Sequence, residues 1–196
     1  MLTSRPKAAL TAALAGLALF AAAPPPAAAQ DPAALTAEGA ALIKEYADTL
    51  GAALKGAIER DGPAGAIGVC HEAAPRIAAE LGARSGWTIR RTSLKARNPS
   101  AAPSAYERTV LDDFQSRLAG GADIATLARA ETVAEDGGRT FRLMKAIPTG
   151  ELCLNCHGTE LKPEVKAKLD TLYPNDAATG YAKGDMRGAF SFAKRQ

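Results

Sequence analysis

The chain is short of the residue types that most site chemistry uses. Its 196 residues include two histidines, three cysteines and one tryptophan, and aromatics make up 5%. A core built from side chains alone must therefore draw on Ala, Leu and Ile. The formal net charge is only +3, with no basic block and no interleaving of basic and aromatic residues, so nucleic-acid binding has no support. No Ser/His/Asp set or paired carboxylates stand out. Both histidines directly follow a cysteine, which leaves general acid–base catalysis by histidine little room. Beyond the N-terminus no apolar run is long enough to span a membrane, and there is no internal repeat. At 47% hydrophobic and 23% charged, the composition is that of an ordinary globular chain rather than a disordered or collagen-like one. The length points to one domain.

The N-terminus has the layout of a secretory signal peptide. Arg5 and Lys7 form a basic start, Ala8 to Ala23 is apolar and uncharged, Pro24-Pro25-Pro26 breaks any helix, and Ala27-Ala28-Ala29 offers small residues before Gln30. The alternative, a retained anchor, needs about 20 apolar residues, more than this stretch has. Cleavage is expected after Ala29, leaving residues 30–196 as one domain of nearly neutral charge in a bacterial periplasm.

Asp31-Pro32 reads as an N-cap followed by a first-turn proline. Leu35, Leu42, Ile43, Tyr46, Leu50, Leu54 and Ile58 then recur at helical spacing, predicting a packing helix that ends near Asp61-Gly62. A second helix is expected from Pro63 to Leu81, with Ile67, Cys70, Ala74, Ile77 and Leu81 on one face. His71 lies about 100° round from Cys70, and Pro75 should kink or break the helix. Trp87 to Ser93 has the alternation of a strand. Asn98-Pro99 to Pro103 is a loop. Ser104 and Glu107 form a capping box before a helix to Leu118, with a Gly120-Gly121 stop. Ala128 to Val133 and Arg139 to Ile147, on either side of Asp136-Gly137-Gly138, suggest a hairpin. A helix from Pro163 to Leu172, closed by Pro174, and a strand from Gly188 to Ala193 complete an α+β pattern.

The informative motif is Cys153-Leu154-Asn155-Cys156-His157, the Cys-x-x-Cys-His attachment sequence of a c-type haem. Two thiols three positions apart can each add across one vinyl group of the porphyrin, and the next residue is placed to reach the iron from one face. Other readings compete. A redox disulfide is less suited to Cys-x-x-Cys-His behind an export signal. Zinc would need Cys70 and His71 or His157 as further ligands, and a second paired motif is missing. The short match could also arise by chance. For the other face of the iron there are four candidates: Cys70, His71, Met144 and Met186. An electron carrier ordinarily uses His/His or His/Met ligation, and on residues alone the better reading of Cys70 is a small buried apolar group.

A resemblance narrows this choice. Ala66-Ile-Gly-Val-Cys70-His-Glu-Ala-Ala-Pro75-Arg-Ile-Ala78 resembles the signature of a family of secreted c-type haem domains with a PAS-like fold, whose best-described member is a cyanobacterial cytochrome. Arg90-Arg-Thr-Ser-Leu-Lys95-Ala-Arg97-Asn98-Pro99, the Cys153–His157 motif and Gly184-Asp-Met-Arg-Gly188-Ala-Phe-Ser191 extend the match from about Leu35 to Phe192. The resemblance implies a central antiparallel sheet flanked by helices. It also implies one covalent haem c on Cys153 and Cys156, with His157 and Cys70 as axial ligands. His71, directly after Cys70, departs from the pattern and stands as an alternative sixth ligand. Arg90, Arg91, Lys95, Arg97 and Arg187 are candidate partners for the propionates, against the plain alternative of a solvated charged face.

Thiolate ligation would favour ferric iron and lower the reduction potential. On reduction the Cys70 bond should weaken, and His71, Met144 or a small ligand could replace it, a redox-linked ligand switch. The expected function is that of a periplasmic monohaem cytochrome in electron transfer or redox sensing. It would work with a redox partner protein or a small electron donor or acceptor, and more as a carrier than as an enzyme. The alternative is a haem oxidoreductase acting on a sulfur compound, nitrogen oxide or peroxide.

Overall fold

Asp31 acts as its place before Pro32 predicts: its carboxylate accepts the Ala33 N–H at 3.0 Å, capping α1 (Pro32–Gly68). The computed structural model describes Met1 and residues 30–135 and 137–196. Apart from Met1, the expected signal peptide lies outside the described residues, as does Asp136 of the expected hairpin turn. Along α1, Leu35, Leu42, Ile43, Tyr46 and Leu50 are buried as their spacing requires. Leu54 and Ile58 continue the stripe but border a cavity instead of packing into core. The expected helix end at Gly62 is a kink within α1. Gly62 sits at φ 70°, ψ 176°, a backbone open to glycine, and Pro63 restarts the helix.

The break expected at Pro75 takes an unexpected form. The helix does not end but widens into one π-turn, Val69–Ala73, in which the Ala74 N–H bonds the Val69 carbonyl five residues back. Proline has no N–H to give and its ring crowds the preceding turn; the wide turn just before it accommodates both facts. Helix α2 (Ala74–Ser85) follows, running past the expected end at Leu81, with Ala74, Ile77 and Leu81 buried.

Four strands form one antiparallel sheet in the order β1-β4-β3-β2: β1 (Thr88–Thr92), β2 (Ala128–Glu135), β3 (Gly138–Pro148) and β4 (Met186–Arg195). β2 and β3 make the predicted hairpin, and the C-terminal strand is longer at both ends than the sequence pattern suggests. Because side chains alternate across a strand, each sheet face has its own core. Trp87, Ile89, Phe141, Leu143, Phe190 and Phe192 pack against α1 and α2. Met144, Ala146 and Ala189 pack against Val110, Leu111 and Phe114 of α3 (Ala105–Ala119). Each large side chain fully buried this way contributes about 1.5–3 kcal/mol relative to exposure. α3 begins with the predicted capping box: Ser104 Oγ accepts the Glu107 N–H, and Glu107 accepts the Ser104 N–H.

Two further helices cross the open side of this core: α4 (Glu151–His157), which the sequence pattern does not announce, and α5 (Pro163–Leu172). Val165, Leu169 and Tyr173 pack with Ile67, tying α5 to the end of α1. Among the described residues no helix is long and apolar enough to cross a membrane. The α+β architecture with a central antiparallel sheet and flanking helices is as expected from the sequence.

One glycine is demanded by the closeness of two strands. At Gly188 of β4, φ is +156°, and a Cβ would stand 2.3 Å from the Thr92 carbonyl oxygen of β1. Gly188→Ala should therefore destabilise the chain by roughly 1–3 kcal/mol, read as a lower urea midpoint; an unchanged midpoint would show that the two strands can separate freely there.

Candidate functional site

Helix α4 is seven residues long, too short to persist alone, so contacts from elsewhere must hold it. The Gly180 N–H bonds the Gly158 carbonyl and the Tyr181 N–H bonds the His157 carbonyl, both at 2.9 Å. Arg97 reaches the Cys156 carbonyl at the helix C-terminus, where a cation is favoured. Cys153 and Cys156, three apart, share one side of the helix and line a cavity of about 300 Å³ with His157. Leu54, Ile58 and Ile67 of α1 supply apolar wall, and Cys70 enters from the π-turn. The widened turn shifts the helical phase, so Cys70 is half-buried and faces this space rather than the core. A second cavity of about 460 Å³, between α2 and β1, meets the first at Cys70 and Arg91.

The electrostatics of the two donor types differ. His157 Nδ1 lies 2.7 Å from the Ala178 carbonyl oxygen. A carbonyl only accepts, so Nδ1 must carry the proton. Nε2 is left with its lone pair, and Arg187 Nε donates to it at 3.4 Å. Burial, joined by the charges of Arg187 and Arg97, pushes the imidazole pKa down from 6.5 to about 2, so His157 is neutral and a competent ligand. Burial pushes the Cys156 thiol up, opposed by Arg97 and helped by Cys70 and Cys153. All three cysteines are free thiols.

The candidate sixth ligands separate clearly. His71 is exposed, and its Nδ1 hydrogen-bonds Tyr173 Oη at 3.1 Å, with the two rings edge to face. Met144 and Met186 belong to the core beneath α3. Of the four candidates, Cys70 alone is among the cavity-lining residues. Tyr173, just past the end of α5, lies on the cavity wall and so separates His71 from that space.

The five basic candidates separate as well. Arg90 and Arg91 are neighbours on β1 and so point to opposite faces. Arg90 turns to α3, where it pairs with Glu107 at 3.2 Å and donates to the Ser100 and Ala102 carbonyls. Arg91 turns to the cavity and stacks over Tyr46 at 5.7 Å. Lys95 donates to the Thr179 carbonyl and sits over Tyr181, outside the cavity lining. Arg97 borders the cavity but is bound to Asp176. Arg187 lines it, anchored by Ser93 Oγ at 3.0 Å; burial lowers its pKa from the usual arginine range. Of the five, Arg91 and Arg187 line the cavity without an acidic partner among the described residues, although Arg187 donates to Ser93 Oγ, the Lys95 carbonyl and His157 Nε2; Arg90 and Lys95 lie outside its lining, and Arg97 is paired with Asp176.

This donor set fits a flat group with an apolar body and an anionic edge: two thiols on one helix face, an imidazole nitrogen, a third thiol from another wall, and two guanidinium groups. It does not fit a bare ion, because no three His, Cys, Asp or Glu side chains among the described residues are grouped closely enough to hold one. Sequence reasoning missed Asp176 and Ala178, which follow Pro174-Asn175 in what reads as plain loop; the capacity of a backbone carbonyl leaves no trace in residue type.

Comparison with known proteins adds two findings. The family model of Tll0287-like proteins matches residues 24–194. Among solved structures, the crystal structure of the cyanobacterial heme-protein Tll0287 matches with a TM-score of 0.66 and 25% identity, over 85% of this chain and 98% of that one. A search of curated proteins found no match.

The depressed His157 pKa has a stability consequence with a definite sign. Below pH 6.5 the unfolded chain protonates this histidine and the folded chain does not, so stability falls as pH falls from 6.5 towards 2. The His157 share approaches about 1.4 kcal/mol per pH unit. Urea unfolding of the chain without haem at pH 7.5 and 5.5 should show a steeper loss for wild type than for His157→Gln; equal losses would contradict a buried neutral imidazole.

Proposed function

Because the chain belongs to the Tll0287-like family, we propose that it is a monohaem c-type cytochrome of the periplasm, working in electron transfer or redox sensing. The observation that carries this reading is the convergence of Cys70, Cys153, Cys156 and His157 on one cavity. The solved relative is itself a heme-protein. Bound haem would supply an iron that cycles between ferric and ferrous states.

The chain's own groups then have distinct tasks. The Cys153 and Cys156 thiols, both on the cavity wall, would be the attachment points for haem. His157 Nε2 would hold the iron, with Nδ1–H fixed on the Ala178 carbonyl in the manner of metal-binding histidines whose second nitrogen is held by a carbonyl. Cys70 Sγ would be the second iron ligand, and a thiolate donor would lower the potential. Arg91 and Arg187 face the cavity as partners for the propionates. The apolar wall of Leu54, Ile58 and Ile67 would exclude water from a bound porphyrin. Such a group would let the chain exchange electrons with a redox partner or a small electron carrier.

The test is to produce the chain with cytochrome c maturation and compare wild type with Cys70→Ala. Wild type should give a ferric low-spin spectrum with a thiolate charge-transfer feature. Cys70→Ala should lose that feature, shift towards high spin and show a higher midpoint potential. Identical spectra would remove Cys70 from the iron, and a high-spin wild type would favour an open site and a small-molecule oxidoreductase.

A further inference from the structure

We propose that Arg97 and Asp176 form a buried clasp whose task is to position His157, rather than to bind a propionate. Both side chains are nearly closed to solvent, at 7% and 11% exposure. Arg97 Nε and Nη2 each lie 3.0 Å from Asp176 Oδ2. The remaining side-chain contacts of the pair go to Ala178 and to the end of the motif helix. Asp176 Oδ1 accepts the Ala178 N–H at 2.8 Å, and Arg97 Nη2 donates to the Ala178 carbonyl at 3.3 Å and to the Cys156 carbonyl. Ala178 is fully buried, and its carbonyl is the acceptor that holds His157 Nδ1–H at 2.7 Å.

The clasp therefore grips Ala178 by both its N–H and its C=O, and ties that residue to the end of the motif helix. A carbonyl oxygen has two lone pairs; one serves Arg97 and the other His157. The direction of Nε2 thus depends on an ion pair that touches neither Nε2 nor the cavity's thiols. A buried ion pair is a costly way to gain stability alone, which is consistent with a positional role. Groups that orient metal-binding histidines in this way typically change ligand binding 10–100-fold when removed.

This inference rests on the proposed function only for its haem readout. The test uses the full chain, loaded with haem if it takes haem and unloaded if it does not, with ¹⁵N-labelled histidine. Asp176→Asn keeps shape and the Ala178 contact but removes the charge; Arg97→Lys keeps charge but removes the fork. Glu107→Gln, which breaks the buried Arg90 pair on the opposite sheet face, is the control. The Nδ1–H of His157 should exchange with solvent about tenfold faster or more in the first two variants and at the wild-type rate in the control. In the loaded chain, added imidazole should displace His157 at about tenfold lower concentration, with both thioethers intact. Wild-type exchange in Asp176→Asn and Arg97→Lys, or equal acceleration in Glu107→Gln, would overturn the clasp. Failure of the wild type to take haem would instead count against the proposed function, and the proton-exchange readout would still judge the clasp.

Discussion

The site depends on one hydrogen bond, from His157 Nδ1–H to the carbonyl of Ala178. It fixes the tautomer, and with it which nitrogen of this cavity-lining imidazole keeps its lone pair. Nearly every other polar feature nearby serves it. The backbone pairing of residues 157–158 with 180–181 holds the motif helix beside the loop that carries Ala178. Arg187 lies against Nε2. Burial keeps the ring neutral. Were the ring free to turn, the Cys-x-x-Cys spacing would still align two thiols, but the imidazole would no longer face the same space.

Opposite the motif helix stands a backbone irregularity. Regular helix from Pro63 onwards would put Cys70 in line with Ile67, Ala74 and Ile77. The π-turn before Pro75 breaks that phase, so the flanking residues stay in the core while Cys70 meets the cavity. π-turns are rare and recur at functional sites. Here the cause is local and chemical: a proline that cannot donate, one turn beyond the cysteine. His71, next in the chain, is carried outwards to Tyr173.

Much of this was legible beforehand, and the failures have physical causes. Capping residues at Asp31 and Ser104, the Asp136-Gly137-Gly138 segment and the apolar stripes announced α1, α3, the β2–β3 hairpin and the sheet, because each is a local pattern. Helix α4 was missed because Glu151–His157 has no buried stripe; it is held by its neighbours' backbone. Leu54 and Ile58 looked like core because an apolar cavity wall and an apolar core share one periodicity. The five basic candidates could not be ranked from composition, yet the two-residue repeat of a strand already separates Arg90 from Arg91. Arg97 could not be understood without Asp176, which a distant loop brings to it.

The claim on which the account stands is that one porphyrin is bonded to this chain at Cys153 and Cys156. Peptide mass mapping of protein exported under haem-attaching conditions measures it directly. The account predicts a single peptide holding both cysteines and heavier by one haem, with Cys70 recovered unmodified. Recovery of that peptide at its bare mass, or with its cysteines joined to each other, would contradict it.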